Sequence, residues 1–241
     1  PKISPLSNYY TLSLIFSELI SMIHLYFFLV GAIFASFLGL VIDRFPDQSI
    51  IFPASHCDSC QTRLRPLDLI PIVSQVVHRF RCRYCNSSYP FWYALFEFGL
   101  GLFFLTFSWG FLTLSQIILV TAGLTLGIYD FRHQEYPLIV WLIFHLFLIV
   151  CCSWNLVMIF FLILGILAHF IDIRIGAGDF LFLASCVLVF SLTEMLILIQ
   201  FASITGILAF LLLKKKERLP FVPFLLLAAC MIIFGKLLLL G

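Results

Sequence analysis

Two sets of residues in this chain have types and spacings that could do chemistry. The first is Cys57, Cys60, Cys82 and Cys85, two C-x2-C pairs with 21 residues between them. Four thiolates suit a tetrahedral Zn2+ ion, and each C-x2-C offers two of them from one tight turn. With all four positions taken by sulfur, such a metal is structural, because no site is left for water or substrate. Paired disulfides, a redox pair and a metal-free loop are the competing readings; a reducing compartment disfavours the first. The second set is acidic. Glu97, Asp130, Asp172 and Asp179 sit in, or at the ends of, long apolar segments, where an ionisable side chain costs about 2.5–3.5 kcal/mol on insertion scales and is a functional hypothesis by default.

Asp130 and Asp179 stand out. Asp130 closes one apolar segment in Gly127-Ile128-Tyr129-Asp130, and Asp179 opens another in Gly176-Ala177-Gly178-Asp179, 49 positions later. Gly176 and Gly178 carry no side chains, so backbone or substrate can come close to Asp179. Two carboxyl groups brought within a few ångströms cannot both ionise readily. Such a pair can activate water with one member and protonate a leaving amine with the other. The alternative is that each aspartate is an interfacial cap or an ion-pair partner, for instance of Arg132 or Arg174. Asp172, near Arg174, reads as interfacial.

The elements that would position these groups follow from composition. Of 241 residues, 63% are hydrophobic and 11% charged, against about 45–50% apolar and roughly 25% charged in a soluble domain. Twenty-nine Phe residues and long Leu/Ile runs exceed what a water-soluble core can hide. The chain therefore reads as an all-α, polytopic membrane bundle, since only helices satisfy their own backbone groups in lipid without a barrel. About eight spans are expected: Ser21–Ile42, Phe91–Gly110, Thr113–Tyr129, Pro137–Cys152, Trp154–Ile171, Phe180–Ser191, Glu194–Leu213 and Leu219–Leu240. Tyr9–Ile20 reads as an interfacial or tilted extension of the first. The N-terminus lacks the basic region, short apolar core and small-residue site of a cleaved secretory signal. The division expected is 1–42 for the extension and first span, 43–90 for a four-cysteine zinc loop, and 91–241 for the rest of the bundle.

Charge sets the orientation. The chain has 14 Lys and Arg residues. All but Lys2 and Lys236 fall in the loops after spans one, three, five and seven: Arg44, Arg63, Arg65, Arg79, Arg81, Arg83, Arg132, Arg174, Lys214, Lys215, Lys216 and Arg218. Positive residues stay inside, which puts the cysteine loop, Asp130 and Asp179 on the cytoplasmic side of the cell membrane. The five arginines of the cysteine loop point to anionic phospholipid headgroups. Without interleaved aromatic stacking residues they do not make a nucleic-acid site. Cys151, Cys152, Cys186 and Cys230 lie in apolar spans as packing residues.

Taken in order, these features resemble the prepilin peptidases (type IV leader peptidases), especially the competence-type enzymes of Gram-positive bacteria. Residues 31–46, GAIFASFLGLVIDRFP, are similar to the family's opening motif. Residues 55–85 follow its cysteine segment, with Ile70-Pro71, Ser74 and Arg81-Cys82-Arg83-Tyr84-Cys85. Tyr93 and Glu97 fall where the family has a Tyr and a Glu. Asp130 with Pro137, and Gly176, Gly178 and Asp179, match its two aspartate motifs, the second known as GxGD. Pro220-Phe221-Val222-Pro223-Phe224 is similar to a late Pro-Phe-x-Pro-Phe segment. Leu138, Gly39, Ala94 and Val222 depart from the usual residues, and none is one of the aspartates. The resemblance implies an aspartyl peptidase of type IV pilus or competence systems, with prepilin-like or pseudopilin substrates cut just before their hydrophobic stretch. It also implies S-adenosylmethionine-dependent N-methylation of the new N-terminus, with Glu97 a candidate contributor and an interhelical hydrogen-bond role its alternative, although the chain has no glycine-rich nucleotide fingerprint. A GxGD protease for other membrane substrates, a proton-coupled transporter using the two aspartates and a zinc adaptor are the rival readings.

Overall fold

The computed structural model describes residues 5–171, 175–213 and 219–240, with side chains over 17–171, 175–212 and 219–238. Asp172, Arg174, Lys214, Lys215, Lys216 and Arg218 lie outside the described residues. The protein is all-helical: α1 (Pro5–Arg44), a 3-10 turn at Pro66–Leu69, α2 (Val73–Val77), α3 (Trp92–Ser108), α4 (Leu114–His133), α5 (Leu138–Cys151), α6 (Leu156–Phe170), α7 (Ala177–Cys186), α8 (Leu192–Leu213) and α9 (Val222–Leu240). Apart from α2 and the 3-10 turn, these are apolar helices that coincide with the segments expected from hydropathy. Three of them, over Ser17–Arg44, Leu114–His133 and Leu192–Leu212, are long and apolar enough to cross a membrane by themselves. α3, α5, α6, α7 and α9 are shorter apolar helices. Large side chains such as Ile33, Phe37, Leu146, Ile163 and Leu211 are exposed on the outward faces, as expected where lipid rather than water is the solvent. Several boundaries differ from expectation: α4 runs four residues past Tyr129 to His133, α7 ends at Cys186 before the expected Ser191, and α9 begins at Val222 after the expected Leu219. α1 is one unbroken helix from Pro5, so Tyr9–Ile20 continues it. α7 begins at Ala177, three residues before the expected Phe180, which brings Asp179 into its first turn.

Two compact units are distinguished: residues 1–40 with 51–111, and residues 41–50 with 112–241. In the first, α1 and α3 pack antiparallel and close. A Cβ on Gly31 would lie 2.8 Å from the Leu100 carbonyl oxygen and from Phe104, and a Cβ on Gly101 would lie 2.8 Å from the Phe28 ring. Small residues at such crossings let backbones approach in the absence of a hydrophobic driving force. His24 Nδ1 and Ser108 Oγ, 2.8 Å apart, close the far end of the pair.

In the second unit α4 is the central element, with Leu119, Val120, Thr125 and Leu126 fully buried. It packs on α9 and α5, while α7 packs chiefly on α6 and α8 on α9. A reciprocal cap starts α4: Thr113 Oγ1 accepts from Gln116 N–H and Gln116 Oε1 accepts from Thr113 N–H. A left-handed residue, Gln134 (φ 57°), ends it. Near that end Tyr129 is 2% exposed and its hydroxyl lies 2.9 Å from the Val41 and 3.0 Å from the Phe45 carbonyl oxygen. Arg132 pairs with Asp43 at 2.7 Å. These contacts fix the last turn of α4, the turn that carries Asp130.

Candidate functional site: an aspartate cavity and a four-cysteine cluster

The last turn of α4 presents Asp130 inward, 8% exposed. Its Oδ2 accepts the backbone N–H of Val222 at 3.0 Å, with a further hydrogen bond from the backbone of Phe221. Both amides belong to the start of α9, whose first N–H groups have no partner within their own helix. The Pro-Phe-Val-Pro-Phe segment thus has a physical task. It starts α9 at Asp130, with Pro223 in the first turn, where a missing N–H costs nothing. In the sequence this segment was visible only as a likeness, because the link to Asp130 spans 92 residues.

Asp179 sits in the first turn of α7. Gly176 is the N-cap of that helix, and its carbonyl accepts the Asp179 N–H at 3.0 Å. A Cβ on Gly176 would lie 3.2 Å from Asp179 Oδ2, so glycine there leaves room for the carboxylate. At Gly178 the close approach is made by a side chain of this chain. The space a side chain there would take is filled by Tyr136, whose Cε1 would be 2.8 Å from a Cβ at that position. The Tyr136 hydroxyl donates to the Gly178 carbonyl at 2.5 Å. Burial, and then the charges of Asp179 and Asp130, push the Tyr136 phenol well above its ordinary value, so it stays a donor throughout the physiological range. Tyr136 was missed in the sequence, where it stands as an unremarkable aromatic before Pro137.

Asp130, Tyr136, Gly176, Gly178 and Asp179 line one cavity of about 1260 Å³, whose apolar wall includes Phe161 and Ile166 of α6. The two carboxyl groups are near enough to act on one another electrostatically. A pair of carboxyl groups facing one such cavity can take a proton from water and give one to a leaving group.

The second cluster lies in the first unit. Cys57, Cys60, Cys82 and Cys85 have their Sγ atoms within 4.8 Å of one another. The cross pairs Cys57–Cys85 and Cys60–Cys82 are 3.7 and 4.0 Å apart, too long for disulfides and close to the ~3.8 Å edge of a tetrahedron with 2.3 Å metal–sulfur bonds. The two turns are alike. Gln61 N–H bonds back to the Cys57 carbonyl and Asn86 N–H to the Cys82 carbonyl. Gln61 and Asn86 each take a left-handed φ, 55° and 59°. One antiparallel bridge closes each turn, His56 with Arg63 and Arg81 with Ser88. The Ser87 hydroxyl beside Cys57 brings that thiol down to about 6, favouring the thiolate that a metal requires. The four donors fit Zn2+, which would cross-link two turns that have little core of their own. Among the described residues no cysteine is disulfide-bonded.

Glu97, 4% exposed on α3, accepts the Ile72 N–H at 2.7 Å and the Gln75 side-chain amide at 2.8 Å through the same Oε2. It thereby holds the start of α2 against α3. This commitment suits a structural acceptor, and no fit to S-adenosylmethionine follows from it. Replacing Glu97 with Ala strands a buried donor, for about 1–3 kcal/mol. Amide hydrogen exchange over residues 72–77 should accelerate at least about fivefold, and unchanged exchange there would contradict this role.

An all-helical membrane protein with two carboxyl groups in one cavity and a separate four-cysteine cluster is the class these features define. Residues 29–111 match the family described as Bacterial Peptidase A24 N-terminal domain, and the chain is similar to several prepilin leader peptidases. It is 35% identical over 118 residues to the prepilin leader peptidase/N-methyltransferase of Myxococcus xanthus (strain DK1622), covering 47% of this chain and 35% of that protein. It is 30% identical over 133 residues to the type 4 prepilin-like proteins leader peptide-processing enzyme of Escherichia coli O78:H11, covering 44% and 48%. To the prepilin leader peptidase/N-methyltransferase of Bacillus subtilis (strain 168) it is 37% identical over 71 residues, 29% of each. The chain thus spans between 29% and 48% of these relatives' length. No solved structure matches it.

Proposed function

We propose that this protein is an aspartyl endopeptidase that removes the leader peptide of prepilin-like or pseudopilin proteins at the cytoplasmic face of the cell membrane. The observation that carries the reading is the convergence of Asp130 and Asp179, from the end of α4 and the start of α7, on one cavity. One aspartate takes a proton from water, which attacks the scissile carbonyl carbon; the other protonates the carbonyl oxygen. The C–N bond then breaks as the departing amine takes a proton from the pair. The relatives' names supply the substrate class. A prepilin-like substrate has a cytoplasmic leader and a bilayer-embedded hydrophobic segment, so its scissile bond falls at the depth of two aspartates that flank arginine-bearing loops. Arg63, Arg65, Arg79, Arg81 and Arg83 rest on anionic lipid headgroups. Cys57, Cys60, Cys82 and Cys85 would hold Zn2+ as a structural brace for that segment, with no part in hydrolysis, since four sulfur ligands leave no open coordination position. Two of these relatives are also named as N-methyltransferases, and no methyl-transfer step is assigned to residues of this chain.

The test is to incubate the purified full chain in detergent with a prepilin-like substrate and identify the new N-terminus by mass spectrometry. A single cut immediately before the hydrophobic stretch supports the proposal. An intact substrate, under conditions where a characterised leader peptidase cuts it, overturns it. The same assay separates this reading from a transporter, which would leave the substrate whole.

A further inference from the structure

α7 is only ten residues long, and a helix of that length does not hold its own position without neighbours. It leans mainly on α6 and makes little direct contact with α4. Something else must hold Asp179, on α7, in a fixed relation to Asp130, on α4. The loop that leaves α4 provides the link. Six residues after Asp130, the Tyr136 hydroxyl donates to the Gly178 carbonyl, one residue before Asp179. The Tyr136 ring occupies the volume that any side chain at Gly178 would need. Two further links continue along α7 from α5: Trp141 Nε1 donates to the Leu181 carbonyl at 2.8 Å, and His145 Nδ1 lies 3.0 Å from Ser185 Oγ. Trp141 and His145 stack, with ring centroids 4.6 Å apart. The link at Tyr136 is the one at the cavity; the other two lie one and two turns deeper.

We propose that Tyr136 is a positioning residue: its hydroxyl and ring clamp the Gly178 turn and so hold the Asp179 carboxyl group in working register with Asp130. This rests on the reading of the two aspartates as the catalytic pair. The clamp acts on the chemical step more than on substrate capture, because it sets the geometry between reacting groups, and a displacement of about 1 Å there can cost around a hundredfold in rate. Gly178 and Tyr136 therefore form one device. A side chain at Gly178 does its harm by expelling the tyrosine ring.

The test measures kcat and KM for cleavage of a prepilin-like substrate by full-length variants purified in the same detergent. Tyr136→Phe keeps the ring and loses the hydroxyl. It should lower kcat about tenfold, in line with the loss of one hydrogen bond, with KM and the thermal midpoint of the protein held near native values. Gly178→Ala should lower kcat about a hundredfold. The double variant Tyr136→Ala/Gly178→Ala should be no slower than Tyr136→Ala alone, the non-additivity expected of residues acting through one contact. A Tyr136→Phe enzyme with kcat within twofold of native overturns the proposal, and so do Ala substitutions whose effects multiply. Asp130→Asn in the same assay tells the two readings apart. If it is inactive while Tyr136→Phe is native, the clamp alone is wrong; if it is active, the aspartate pair falls and the clamp with it.

Discussion

Asp130→Asn and Asp179→Asn will each reduce leader cleavage by about 10⁴-fold, the upper end for removal of a general acid or base, while the protein still accumulates in the membrane. Folding should survive because Asn is nearly isosteric and keeps an oxygen acceptor. At position 130 that oxygen can still take the N–H of Val222, now 3.0 Å from Oδ2. Gly176 still caps α7 at position 179. What is lost is the ability to exchange a proton with water, and neither remaining carboxyl group can supply both halves of the exchange. The double variant should accordingly be no slower than either single one, since the two groups act as a unit. Single-turnover rates on a prepilin-like substrate decide the matter. Residual activity within tenfold of native in either variant would remove the pair from the mechanism.

Loss of the cysteine cluster should be the largest structural effect in the chain. Purified under reducing conditions, the native protein should contain one zinc per chain by elemental analysis, and Cys57→Ser/Cys60→Ser should contain none. Residues 51–91 hold only short turns, a 3-10 turn and the five-residue α2, so little apart from the metal opposes their chain entropy. Structural zinc contributes about 10–16 kcal/mol in isolated zinc-finger peptides, and even a fraction of that exceeds what this segment can draw from packing. In the variant, limited proteolysis should cut between the two cysteine pairs at rates at least about a hundredfold above native, while the apolar helices stay intact. Cys151→Ser/Cys152→Ser, in the C-terminal end of α5, should keep its zinc. A metal-free native protein with the same resistance to proteolysis would show that the cluster stands without an ion.

The contrast between these two sites shows what could be read from the chain. The cysteine cluster was legible because metal ligation is a local affair. Each C-x2-C turn is closed within eight residues, and only one further juxtaposition, of turn with turn, is required. The Asp pair was legible as a pair of anomalies, since charge in an apolar helix is conspicuous wherever it occurs. Its partners were not. Tyr136, Phe221 and Val222 are ordinary residues for an apolar protein, and nothing in their types marks them. Gly178 was noticed for the right reason, a close approach, but the approaching group is a tyrosine of this chain. Glu97 was noticed as an anomaly too, and the geometry gives it to α2.

Hydrophobicity and its interruptions are properties of consecutive residues, so helix content, the order of apolar segments, the asymmetry of positive charge and the identity of the ionisable candidates were all set out in the amino-acid order. Which helix packs on which is a property of side-chain shape at crossings far apart in the chain, where many pairings bury similar apolar area. Only the tertiary structure decided that α9 begins at Asp130 and that the loop after α4 reaches the first turn of α7. The reason is physical: directional hydrogen bonds between side chain and backbone, such as the one Val222 N–H donates to Asp130 and the one Tyr136 donates to the Gly178 carbonyl, are decided after the helices have docked.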